Sequence, residues 1–284
     1  MRKKPSMKRL TRYALVVVAF LAALLPLSSA AAAPTSAALT PSTVKPTVVL
    51  VHGAFADSSS WDTDIAALQH LGFPVVAVAN PLRSLTSDAA YVHAVLQSIR
   101  GPIVLVGHSY GGAVIGNAAV GVPNVKALVF IAAFLLDQGE SVATTPDPKQ
   151  FPGSLVGPDT TIATPVPNPA APGGMDAEIT IKPEDFRAVF AADVPAEKAA
   201  LMAVTQRPFA VTAITQPSGP PAWKTIPSWA LIASNDKAID PNGERFMAER
   251  AHAHIETVRS SHAVMVSHPI EVLHIILEAA AATS

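Results

Sequence analysis

Apolar residues along the chain fall into short unbroken runs: Thr47 to Val51 (TVVLV), Pro74 to Ala79 (PVVAVA), Ile103 to Val106 (IVLV), Ala127 to Phe134 (ALVFIAAF) and Ser228 to Ala233 (SWALIA), and a shorter, mixed stretch, Ile255 to Val258 (IETV), reads as a last strand. Runs without polar alternation suit strands covered on both faces. Helical spacing lies between them. Asp88 to Ile99 sets Ala89, Val92, Val95, Leu96 and Ile99 on one stripe, the pattern of a helix packed on a core. Ser58 to His70, Gly111 to Ala119, Glu244 to Arg250 and Ile270 to Ala281 also read as helices. Strands alternating with helices predict an α/β architecture, a mostly parallel sheet of about six strands flanked by helices. A further irregular edge strand fits near Leu39 to Val44.

The alternation breaks once, from Asp137 to Pro227. These 91 residues hold 15 of the 26 prolines. Thr144 to Gly174 shows no period, whereas Pro183 to Ala191 and Pro195 to Thr205 are helical stretches. A loop this long inside one domain is unusual unless it is functional. It reads as a cap over the end of the sheet, inserted before the penultimate strand. A separate small domain and a disordered insertion are the alternatives, and the apolar helices favour a packed cap.

Composition changes the picture at the N-terminus. Arg2, Lys3, Lys4, Lys8, Arg9 and Arg12 precede an apolar run of 12 residues, Ala14 to Leu25, followed by Pro26 and small residues from Ser28 to Ala33. That order predicts a secretory leader over residues 1–33 and a secreted or periplasmic product. The run is short of the roughly 20 apolar residues of a membrane span; an uncleaved anchor is the alternative. Ala31 and Ala33 fit a small-x-small cleavage site, and cuts after Ala30 or a few residues past Pro34 stay open. Residues 34–43 then form a linker, and 44–284 one domain with its cap at about 137–227. Without the leader, 14 basic residues face 21 acidic ones, a net charge of −7. That balance lacks the basic footprint of a nucleic-acid partner. The chain has no cysteine, hence no disulfide and no thiolate metal site. His252-x-His254 could suggest a metal, but no third ligand is evident in the nearby sequence.

The strongest chemical signal is Gly107-His108-Ser109-Tyr110-Gly111, set between a buried strand and a helix. Strand, tight turn and helix form the geometry of a nucleophile elbow. Ser109 is the candidate nucleophile. A serine hydroxyl needs a base within reach, and His262, on the loop after the last strand, is the candidate. Its rival, His268, reads better as the start of the final helix. His70, His93 and His274 lie on helix patterns and read as surface or packing residues. The acid that orients the base follows a strand at the same edge: Asp236, with Asp137 and Asp240 as competitors. Oxyanion donors are expected from the backbone N–H of Tyr110 and of Ala54, with Phe55 second for the latter place. His52 is expected to hold that loop. Phe55 and His108 are candidate substrate contacts. Phe186, Phe190, Met202, Phe209 and Trp223 could line a pocket or merely pack the cap.

VLVHGAF, VGHSYGG, FIAAFLLDQGES and SHAVMVSHP resemble the α/β-hydrolase superfamily, in the branch of methyl-salicylate-type esterases, hydroxynitrile lyases and bacterial pyrethroid-type esterases. The resemblance covers nearly all of the chain beyond the leader. It implies the α/β-hydrolase fold, an acid after the penultimate strand (Asp236 rather than Asp137) and ester hydrolysis without cofactor or metal. The lyases of the branch carry threonine at the place of Gly53 and lysine at that of Ala263, and both departures favour ester hydrolysis. The expectation is a serine esterase acting on a small or medium carboxylic ester. A lyase, a lactonase, a cofactor-free haloperoxidase and a non-catalytic ligand-binding protein are the alternatives. Oligomeric state is not legible.

Overall fold

The five apolar runs and the stretch at Ile255 to Val258 pair side by side into one sheet in a computed structural model that describes residues 45–168 and 172–283. The expected leader (1–33), linker (34–43) and edge strand near 39–44 lie outside the described residues. In chain order the body is β1 (Thr47–Val51), α1 (Asp62–His70), β2 (Val75–Val78), α2 (Leu85–Ser98), β3 (Ile103–His108), α3 (Tyr110–Ala118) and β4 (Val125–Ile131). The cap follows: β5 (Thr161–Pro167), β6 (Met175–Ile181), α4 (Pro183–Phe190), α5 (Ala196–Thr205), β7 (Phe209–Ala210) and α6 (Val211–Thr215). The body resumes with β8 (Ser228–Ala233), α7 (Pro241–Arg250), β9 (His254–Val258), α8 (Val264–Ser267) and α9 (Pro269–Ala281). The strand order is β2-β1-β3-β4-β8-β9, and every pair is parallel.

The unbroken runs are explained by the two cores. Val49, Val51, Ile103, Leu105, Leu128 and Phe130 join the cluster that includes α2 and α3 residues. Their alternate neighbours, Val48, Leu50, Val104, Val106, Ala127 and Val129, join the cluster that includes Leu68 of α1 and Val272, Ile275 and Ile276 of α9. Successive side chains of a strand point to opposite faces, so burial on both faces makes every position apolar.

Two local readings are corrected. β4 stops at Ile131, short of Phe134, because Ala132 takes a positive φ of 42° and turns the chain. The aperiodic first part of the cap holds β5, which pairs antiparallel with β6 directly after it, and β7 extends the pair. Pro165 and Pro167 lie on β5, the edge strand of that small sheet, where a missing N–H is tolerated. The cap packs within the same compact unit as the body. Among the described residues no helix is long and apolar enough to cross a membrane.

One polar residue sits at odds with its surroundings. Asp64 on α1 is fully buried, and neither carboxylate oxygen meets a partner beyond its own backbone amide. Burial pushes its pKa up to about 8, so the folded protein holds this proton where the unfolded chain releases it. The folded state then binds more protons between the ordinary aspartate range and about pH 8, and stability falls as pH rises through that window. Asp64→Asn removes the linkage. Its melting temperature should exceed the parent's at about pH 8, with the difference shrinking toward about pH 5; equal pH profiles for the two proteins would show that Asp64 is not a buried neutral acid.

Candidate active site

A parallel sheet brings all its strand C-termini to one edge, and the candidate residues collect there. Ser109 joins β3 to α3 with φ 54° and ψ −125°, a strained conformation for a residue with a side chain. Glycines make the turn possible. A Cβ on Gly107 would lie 2.5 Å from the Gly111 carbonyl oxygen, and one on Gly53 would lie 2.6 Å from the Ser109 Cβ. The loop after β1 thus lies directly against the elbow. His52 fixes that loop: its Nδ1 donates to the Gly53 carbonyl (2.9 Å), and its Nε2 accepts the Asn80 amide (3.0 Å). These two contacts set the neutral tautomer, and burial lowers the His52 pKa to about 4. The backbone amides of Ala54 and Tyr110 have no protein acceptor among the described residues, and both residues line the same cavity as Ser109. The Tyr110 hydroxyl is committed, donating to Asp88 at 2.8 Å.

His262 lies on the loop after β9, 1% exposed. Its Nδ1 meets Asp236 Oδ2 at 2.5 Å, which leaves Nε2 as its free nitrogen. Its ring packs against those of His108 and Phe190, with centroids 4.6 and 4.8 Å away. Three contacts hold its backbone. His108 Nε2 donates to the His262 carbonyl (3.0 Å), the Ser261 amide donates to Asp193 (3.0 Å), and the Ala263 amide donates to the Phe190 carbonyl (2.9 Å). Ser109 and His262 both line the cavity, but no hydrogen bond joins them in this structure. Such contacts commonly tighten only when substrate is bound.

Of the competing acids, neither reaches His262. Asp137 pairs with Lys224 at 2.5 Å, and Asp240 caps α7 through Asn242 while accepting the Gly153 amide. Asp236 takes the amides of Ala238 (2.6 Å) and Ile239 (3.0 Å) on its other oxygen. His268 sits at the junction of α8 and α9, as its sequence context suggested.

The cavity measures about 410 Å³ and is mainly apolar, with no lysine or arginine in its lining. Phe55 lines it, whereas His108, expected among the substrate contacts, does not. His108 is wholly buried beneath His262, and burial drives its pKa well down, so it serves as a neutral prop. Among the five aromatic and Met candidates of the cap only Phe209 lines the cavity. Trp223 instead donates to the Leu136 carbonyl, and Phe186 and Phe190 stack within the cap. The remaining cap wall includes Pro146, Phe151, Val156 and Ile214, residues without a distinguishing local signal.

Sequence reading also missed Glu244. It is buried on α7, its Oε2 takes the Ala233 amide at 3.4 Å, and its Oε1 meets no N–H or O–H donor. Burial first, then the neighbouring Asp236 charge, raises its pKa well above the ordinary range. As a neutral acid it has a proton to give, and Asp236 is its hydrogen-bond partner. Glu244→Gln preserves both contacts and should keep unfolding free energy within about 1 kcal/mol of the parent at neutral pH. Glu244→Ala, which leaves a cavity and unpaired groups, should cost at least about 2 kcal/mol. Equal losses in urea titrations of the two variants would mean that Glu244 is ionised.

The profile described as "Alpha/beta hydrolase family" matches residues 48–275. The chain is 25% identical over 261 residues to the alpha/beta hydrolase nvfD of Aspergillus novofumigatus (strain IBT 16806), covering 84% of this chain and 97% of that one. Among solved structures it is similar to polyneuridine aldehyde esterase (TM-score 0.69, 19% identity, 82% of this chain and 98% of that one). It is also similar to a pyrethroid hydrolase from Sphingobium faniae JZ-2 (TM-score 0.67, 21% identity, 84% and 98%). At these identities the structural likenesses show the fold alone.

Proposed function

We propose, for a chain that belongs to the alpha/beta hydrolase family, that it hydrolyses uncharged carboxylic esters through an acyl-enzyme on Ser109. The observation that carries this reading is one apolar cavity onto which Ser109, His262 and the Ala54 and Tyr110 residues all open, with Asp236 behind His262. His262 Nε2 takes the Ser109 proton as Oγ attacks the ester carbonyl. Negative charge develops on the carbonyl oxygen, and the Ala54 and Tyr110 amides donate to it. Asp236 holds the ring by Nδ1–H and stabilises the imidazolium. His262 returns the proton to the leaving alcohol, then deprotonates the water that releases the acid.

The cavity supports substrates of small to medium size with apolar acyl or alcohol parts. Asp240 is the one carboxylate in its wall, and both of its oxygens are already engaged. No cationic side chain is there to bind an anionic substrate. The similarity to an esterase and a pyrethroid hydrolase points the same way. Cyanohydrin cleavage is disfavoured at two places. A threonine at 53 would collide with Ser109, and Ala263 is fully buried where a lysine would need water. Location is part of the proposal: residues 1–33 act as a cleaved leader. N-terminal sequencing of exported protein should begin beyond Ala30, and a start at Met1 would overturn it.

A fluorophosphonate probe should label Ser109, located by mass spectrometry, and Ser109→Ala should take no label. Ester turnover should fall by several orders of magnitude in Ser109→Ala and in His262→Ala. Labelling that survives in Ser109→Ala, or a folded parent inert to both probe and an ester panel, would overturn the reading.

A further inference from the structure

Outside the cavity lining, the edge strand and the closing helix each present a pair of metal-ligating side chains. On β9 the pair is His254-x-Glu256, and residues two apart on a strand share a face. On α9 it is His274-x3-Glu278, and residues four apart on a helix share a face. The fold sets the two pairs against each other. His254 Nε2 lies 3.5 Å from Glu278 Oε2, and His274 Nδ1 lies 3.4 Å from Glu256 Oε1. One donor atom each from His254, Glu256 and Glu278 falls within 4.8 Å of the others. We propose that His254, Glu256 and Glu278 form a binding site for a divalent transition metal of the zinc class, clasping β9 to α9, with His274 beside the two glutamates.

Three observations support it. Nitrogen and oxygen ligands about 2.0–2.2 Å from zinc stand roughly 3.3–3.6 Å apart around a tetrahedron, the separation of His254 Nε2 from Glu278 Oε2. A donor set of one imidazole and two carboxylates suits zinc, nickel or copper rather than magnesium or calcium, which take oxygen ligands. The two glutamates are brought together with no lysine or arginine paired to either among the described residues. The sequence expectation that His252-x-His254 lacks a third ligand is thereby revised. His254 finds its partners across space, and His252 is not among them. The clasp brackets the segment that carries His262, because β9 leads into it and α9 follows it. Bound metal therefore stabilises the folded chain by mass action.

The test uses tag-free, chelator-treated protein and zinc chloride in calorimetric titration, with thermal melts in zinc and in magnesium. Expected are one equivalent of zinc, a higher melting temperature in zinc and none in magnesium. His254→Gln and Glu278→Gln, both at solvent-accessible positions, should each weaken zinc binding at least about tenfold, while His252→Gln leaves it unchanged. The proposal is overturned if the parent takes up no zinc, if magnesium stabilises equally, or if His254→Gln and Glu278→Gln bind as tightly as the parent or no more weakly than His252→Gln.

Discussion

The whole site is referenced to one backbone turn that only its neighbours make tolerable. Ser109 stands at positive φ, at a cost on the order of 1–3 kcal/mol. Its own peptide groups hold it there. The Ser109 amide donates to the Ile131 carbonyl, and its carbonyl takes the amides of Gly112 and Phe134. Those bonds tie together the end of β4, the start of α3 and the elbow. Gly53 then lets the loop after β1 press against the same point. Three loops from three strands are positioned by one turn, so the spacing between Ser109 and the two amide donors is a property of the sheet rather than of flexible side chains.

The cap does more than cover the cavity. Phe190 gives its carbonyl to Ala263 and its ring to His262, and Asp193 binds Ser261 by amide and hydroxyl. The cap is moored to the body in turn by the Ala210 amide on the Leu82 carbonyl and the Gly153 amide on Asp240. The position of His262 is thus set by His108 on its own carbonyl and by the cap on the residues before and after it. An insertion that reads in sequence as a proline-rich interruption is part of what holds the histidine.

Legibility in the sequence followed the reach of each constraint. Burial on both faces leaves a strand few polar positions, so the five apolar runs were plain, while β9, with Glu256 and Thr257 on it, was read from its place after a helix. The elbow was plain because glycines dictate it locally. Asp236 and His262 followed because parallel strands end at one edge. The β5–β6 pair was hidden, since most of β5 is exposed and its prolines read as breakers. His108 was misread for a physical reason: alternation along β3 sends the residue before Ser109 beneath the base rather than into the cavity. Glu244, the cavity wall and the partners of His254 depend on contacts between distant segments, and no local pattern announces those.

Three carboxyl groups, Asp236, Asp240 and Glu244, influence one another near His262, and their differing engagements matter to how a base could work there. Asp240 is spent on capping α7 and holding Gly153. Glu244 is kept neutral by burial and by its neighbours' charge. Asp236 is the carboxyl group that faces the ring, and its oxygens take the amides of Ala238 and Ile239, His262 Nδ1 and the proton of Glu244. With that many donors upon it, Asp236 is fixed in place, and so is the ring whose Nδ1 it holds. Nε2 is left on the side of the ring away from Asp236, the arrangement in which a carboxylate can steady an imidazolium without itself taking the proton.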